Sequence, residues 1–162
     1  MKYSIPLVLL LMASDVYCQV SLTKGPKVNG LALGATRNEV IKKLGKPSSE
    51  SKRKADECVG GTEMTLHYPG LKLLLWDDPD DPRRFAVGKF EISSARWDVS
   101  GIRIGQPNSA VRKQFGARST EEKQSGQLVW FYFMDENISP GSTNFHFRNG
   151  KLIKIISLWQ MC

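Results

Sequence analysis

Gly30-Leu31-Ala32-Leu33-Gly34-Ala35-Thr36-Arg37-Asn38-Glu39-Val40-Ile41-Lys42-Lys43-Leu44-Gly45 decides the reading of this chain, because its pattern returns 71 residues later. Gly101-Ile102-Arg103-Ile104-Gly105 leads through Pro107-Asn108-Ser109-Ala110-Val111-Arg112-Lys113-Gln114-Phe115 to Gly116. Gly30, Gly34, Val40, Lys42 and Gly45 meet identical residues in Gly101, Gly105, Val111, Lys113 and Gly116. Gly88-Lys89 precedes Trp97 at the separation at which Gly150-Lys151 precedes Trp159. Self-similarity at a fixed offset is the mark of a duplicated structural unit.

Within each copy the first element reads as a short helix. Thr36 and Glu39 have capping-box spacing: the hydroxyl accepts from the N3 amide and the carboxylate from the cap amide. Gly45 stops the helix and Pro47 prevents its restart. In the second copy Pro107 is expected at the first helical position, where a missing amide costs nothing, and Gly116 ends the helix. Each helix is too short to be stable alone, so both must pack on a sheet. Strands are expected at 63–68, 71–76 and 86–97, then at 127–134, 143–148 and 150–159. Pro69-Gly70 and Asn149-Gly150 read as tight turns. Segments 48–57 and 121–126 read as polar linkers, and 77–84 as a loop by its Asp and Pro content. The expected fold class is α+β: a tandem repeat of (α-β-β-β) units with an antiparallel sheet and short helices on one face. Residues 30–100 form unit one and 101–162 unit two of a single compact domain. Alternation assigns Leu66, Leu71, Leu73, Leu75, Phe90 and Ile92 inward and His67, Lys72, Trp76, Glu91 and Ser93 outward. In unit two it sends Phe131, Phe133, Phe145, Phe147, Ile153 and Ile155 inward, and Trp130, Tyr132, His146, Arg148 and Lys154 outward.

The apolar strand, glycine, capping residue, Val, Leu or Phe and closing glycine resemble the repeat of the β-lactamase inhibitor protein family and of the outer-membrane assembly lipoprotein BamE (SmpA/OmlA). The tandem arrangement is most similar to the inhibitor proteins. That resemblance implies a two-layer α/β unit whose solvent-facing concave sheet and nearby loops grip an enzyme. It supplies no inhibitory residue position by position. A lipobox, expected of the assembly lipoproteins, is missing, because Tyr17 precedes Cys18.

Residues 1–18 read as a secretory signal: Lys2 at the start, an apolar run from Ile5 to Met12, and a cleavage site at Val16-Tyr17-Cys18 before Gln19. The run is shorter than the roughly 20 residues a membrane span needs. A periplasmic or secreted location is therefore expected. Removing 18 of the 162 residues leaves 144, enough for one core, behind a polar N-terminal arm at 19–29. One Lys and one Asp leave with the signal, so the net charge stays at +7. Cys58 and Cys162 remain. An even pair in an exported chain points to a disulfide bond, with two free thiols as the alternative.

Catalytic fingerprints are missing: there is no GxSxG, HExxH, P-loop or dinucleotide-binding pattern, and the two histidines, His67 and His146, lie in different units. A non-enzymatic role without cofactor or metal is expected. Trp130, Tyr132, His146, Arg148 and Lys154 form the leading interface cluster, since Trp, Tyr and Arg dominate binding hot spots; an alternative is that this face is covered by the N-terminal arm. Trp76 with Asp77, Asp78, Asp80 and Asp81 forms the second candidate contact. That acidic loop reads as a solvated loop, as a contact for a cationic cleft, or as a calcium site. Lys42, Lys43, Lys46, Lys52, Arg53 and Lys54 read as a solvated helix end complementing the dipole. In an exported chain they suit a peripheral envelope contact or an acidic protein better than nucleic acid. The expected function is protein binding, as an inhibitor or immunity protein covering the active site of a periplasmic or secreted hydrolase or toxin. The alternative is a structural cell-envelope or outer-membrane assembly protein. Partner identity and oligomeric state are not encoded in any motif.

Overall fold

The computed structural model describes residues 25–55, 60–77, 84–134 and 141–160. The expected signal, both members of the Cys58–Cys162 pair, and Asp78, Asp80 and Asp81 lie outside the described residues. Helix α1 (Arg37–Leu44) precedes strands β1 (Ser49–Lys54), β2 (Thr62–Tyr68), β3 (Leu71–Asp77) and β4 (Phe85–Ile92). Helix α2 (Asn108–Phe115) precedes β5 (Thr120–Gln124), β6 (Gln127–Phe133), β7 (Gly141–Arg148) and β8 (Lys151–Trp159). All eight strands join one antiparallel sheet in the order β1-β2-β3-β4-β8-β7-β6-β5.

The expected α+β class is overturned: among the described residues eight strands carry two eight-residue helices, so the fold is mostly β. Each unit holds four strands rather than three. The extra ones are the segments expected to be linkers. Every residue of β1 and of β5 is exposed, so neither strand shows the apolar alternation that reveals a half-buried strand. Both are the edges of the sheet, where charged side chains discourage further pairing.

The capping box of α1 forms as its spacing predicts. The Glu39 amide donates to the Thr36 hydroxyl at 3.3 Å, and the Thr36 amide donates to the Glu39 carboxylate at 2.7 Å. Those bonds from Thr36 hold the Glu39 carboxyl below its ordinary range. In α2 the boundary moves by one residue: Pro107 is the extended N-cap, not the first helical residue, and makes no side-chain cap. The Asn108 amide donates instead to the Gly150 carbonyl of the β7–β8 turn at 3.0 Å. Only Val40 of α1 and Val111 of α2 are fully buried. Burial of one valine supplies about 1.5–3 kcal/mol, so each helix is also tied by its ends. Gly34 donates to Val87 and Val87 to Ala35; Gly105 donates to Leu152 and Leu152 to Gln106. At the far ends, the Tyr68 hydroxyl donates to the Gly45 carbonyl at 2.9 Å and the Tyr132 hydroxyl to the Gly116 carbonyl at 3.1 Å.

These matching bonds define an approximate twofold axis through the molecule. Val87 and Leu152 are equivalent, as are Leu75 and Phe147, and a bulge interrupts the ladder at each place. Carried along the strands, the same register makes Glu91 equivalent to Ile156, and these two pair with each other where β4 meets β8. The second layer repeats the symmetry. Tight hairpins Val28–Leu31 and Val99–Ile102 pair through Val28 and Val99, while Asn29 donates to Asp98 and Ser100 to Lys27. The lead-in to unit one is thus a structured hairpin from Val28 on, where the sequence suggests an arm. Trp97 and Trp159 are not equivalent, despite their matched spacing. Trp159 ends β8, whereas Trp97 lies beyond β4, packs edge-on against Tyr68 and donates to the Pro69 carbonyl at 2.8 Å.

Candidate binding face of the sheet

The core lies between the sheet and the layer of helices and small hairpins. The opposite face of the sheet carries the remaining side chains of every strand. Rows across the strands define it. One runs Ser51, Thr65, Leu74, Lys89, Leu158, Ser142, Phe133; another runs Ser49, His67, Lys72, Glu91, Ile156, Asn144, Phe131, Thr120. Among the described residues no helix makes an extended contact there; the principal contacts of the sheet are between neighbouring strands, with a small one between α1 and β4.

This face has two chemistries. Over unit one it is charged and forms a concavity of about 330 Å³ lined by Ser51, Arg53, Glu63, Thr65, His67, Lys72, Leu74, Lys89 and Glu91. Glu63, buried beneath β1, is paired with Arg53. Glu91 accepts from the Lys154 ammonium at 2.6 Å. Burial pushes the Glu91 carboxyl up, but the Lys154 bond and the charges of Lys154, Lys89 and Lys72 outweigh it, and the net shift is downward. Over unit two the face is more apolar, with Val129, Phe131, Phe133, Ile156 and Leu158. Phe133 is the one exposed large hydrophobic among the described residues, at 48%.

Two of the expected interface residues point the other way. Trp130 and Tyr132 are 6% and 0% exposed and belong to the core. Trp130 packs on Phe147 at 4.8 Å with Arg118 over its ring at 4.9 Å, and its indole donates to Glu121 at 3.1 Å. Tyr132 packs against Phe115 and Phe145. The reason is register. The β6–β7 pairing sets Trp130 opposite Phe145 and Tyr132 opposite Thr143, so even-numbered residues of β6 share a face with odd-numbered residues of β7. Phe131 and Phe133, expected inside, consequently face outward. Aligning Tyr132 with Tyr68 across the units would have revealed this.

The other expected residues divide. His146 and Lys154 lie on the outer face, and Arg148 is exposed at the end of β7. Burial, with a smaller contribution from the Lys154 charge, pulls the His146 imidazole below its ordinary 6.5, and its Nε2 is buried without a partner, as is Asn144 Oδ1. Trp76 is half-buried over Gly88. Asp77 does not project from a loop: it is the last residue of β3 and accepts from the Thr62 amide at 2.9 Å. Lys72, Lys89, Thr65 and His67 complete the concavity without forming any sequence motif, although polar residues alternating with leucines in β3 already place Lys72 outward. No group of three His, Cys, Asp or Glu side chains among the described residues could hold a metal ion.

No protein-family model matches this chain, and no curated protein matches it. Among solved structures, an extracellular protein containing an SCP domain from Bacillus anthracis is similar at 13% identity and a TM-score of 0.49. The match covers 80% of this chain and 44% of that one, so this chain spans less than half of that protein's length. A likeness of that size carries no argument about what this protein does. Among the described residues no helix is long and apolar enough to cross a membrane.

Proposed function

We propose that this chain is an exported, non-enzymatic protein-binding module that covers the active site of a periplasmic or secreted hydrolase with the outer face of its sheet. The observation that carries the reading is that face itself: eight strands wide, free of a covering helix among the described residues, and divided into cationic and apolar halves. A broad surface with adjoining charged and apolar regions suits a protein partner, where apolar anchors give affinity and charge gives orientation. The export signal read at 1–18 supports a partner outside the cytoplasm.

The test is titration. Residues 19–162 are added to hydrolases fractionated from envelope and culture medium, and activity is followed against the molar ratio. Suppression that saturates at one copy per enzyme, and is lost with Phe133→Asp, is the expected result. If no hydrolase is suppressed while outer-membrane components are retained, the reading fails in favour of a structural role in the envelope.

A further inference from the structure

We propose that the concavity over unit one seats a carboxylate side chain of the protein partner, held between Lys72 and Lys89. This rests on the binding-module reading above. Lys72 stands opposite Glu91 and Lys89 opposite Leu74 on the paired strands β3 and β4, which makes the two lysines diagonal neighbours on one face. Both line the same concavity. Its two acidic groups are engaged elsewhere, Glu63 with Arg53 and Glu91 with Lys154. Among the described residues the side-chain ammonium of neither Lys72 nor Lys89 makes a hydrogen bond or a close ion pair. Two ammonium groups therefore stand on adjacent inner strands beside Leu74, with Thr65 and His67 lining the same concavity.

The geometry also says what should accompany the carboxylate. From Lys89 the row continues to Leu158 on β8, Ser142 on β7 and Phe133 on β6. At about 4.8 Å per strand, the apolar half begins ~5 Å from the lysines and reaches Phe133 at ~14 Å. The occupant is an acidic residue followed, within that span, by an aliphatic or aromatic one. A nucleic-acid backbone fits less well, because two lysines beside an apolar half do not make the continuous basic track that a row of phosphates needs.

The experiment uses two synthetic peptides, one carrying Glu-Glu, a Gly-Gly spacer and Phe, the other Gln-Gln in place of Glu-Glu. Each is titrated into labelled residues 19–162 by NMR, which reads weak binding and reports its location. The acidic peptide should bind ~tenfold tighter than its neutral twin and shift the amides of β2, β3 and β4. Lys72→Gln with Lys89→Gln should remove that preference, while Lys42→Gln with Lys43→Gln on α1 should leave it within about twofold. Equal binding of the two peptides, shifts elsewhere, or equal loss in both double variants would overturn the assignment. The hydrolase titration separates this from the parent reading. Undiminished suppression by the Lys72/Lys89 variant removes the carboxylate seat and keeps the module, whereas peptide binding without any suppressed hydrolase keeps the seat and removes the inhibitor.

Discussion

Tyr68 and Tyr132 each turn an aromatic ring into the core and a hydroxyl toward the closing carbonyl of the preceding helix. The last carbonyls of a helix have no partner within it, and here the sheet supplies one. Tyr132→Phe keeps the ring and loses the bond, so it should cost about 1 kcal/mol, or about 3 °C in Tm. Tyr132→Ala empties a fully buried site and should cost about 3–5 kcal/mol. Thermal melts of the two variants check both figures, and equal small losses would show that Tyr132 is not a core residue. His146 gives the pH prediction. Its folded value lies below its ordinary 6.5 because burial disfavours the charged ring. The unfolded chain therefore takes up the proton first, and stability must fall as pH drops below about 6.5 toward the folded value. Glu91, also lowered, adds its own loss only at more acid pH. Between pH 7 and 5 the Tm should decline, and His146→Gln should flatten that decline. An identical slope in the variant would remove His146 as the cause.

Helices and turns were legible in the sequence because they are written locally: Thr36 with Glu39, Gly45 and Gly116, and Asn149-Gly150, whose φ angles of 51° and 72° suit a two-residue hairpin. Edge strands were not, because β1 and β5 bury nothing and so show no period. The facing of β6 was lost for a different reason. Parity holds within one strand, and only the β6–β7 register relates it to the next. The candidate face was half legible: polar residues in β3 and β4 announced an outward side, but which of them converge depends on pairings between strands. Gly88 tests the reading of one such element. It is the extra residue of the β3–β4 bulge, skipped between Lys89 opposite Leu74 and Val87 opposite Leu75, and Trp76 lies where its Cβ would be. Gly88→Ala should cost about 1–3 kcal/mol by overpacking and lift Trp76 toward water. A red shift in tryptophan emission that disappears when Trp76→Phe is added would confirm it; an unshifted spectrum would mean the indole does not rest on Gly88.

At the scale of the whole molecule the approximate twofold predicts how the halves behave apart. Equivalent residues meet each other at the junction, Val28 with Val99 in one layer and Glu91 with Ile156 in the other. Either half could in principle pair with a second copy of itself in the same register, but the two self-pairings differ. A pair of first halves would set Glu91 directly opposite Glu91, and like charges opposite one another on a sheet are destabilising. A pair of second halves would set Ile156 opposite Ile156, a favourable apolar contact. Expressed separately, fragment 25–95 should be monomeric and unfolded, and fragment 96–160 should form a dimer with β-sheet circular dichroism. Mixing the two should give a one-to-one complex whose spectrum matches the intact chain, because only that combination restores the Val28–Val99 bridge and sets Glu91 opposite Ile156. Sedimentation with circular dichroism decides it. A folded first half alone would show that the β4–β8 junction is not what completes each unit. Recovery of a dimer by Glu91→Ile in the first half would identify the opposed carboxylates as the reason it fails.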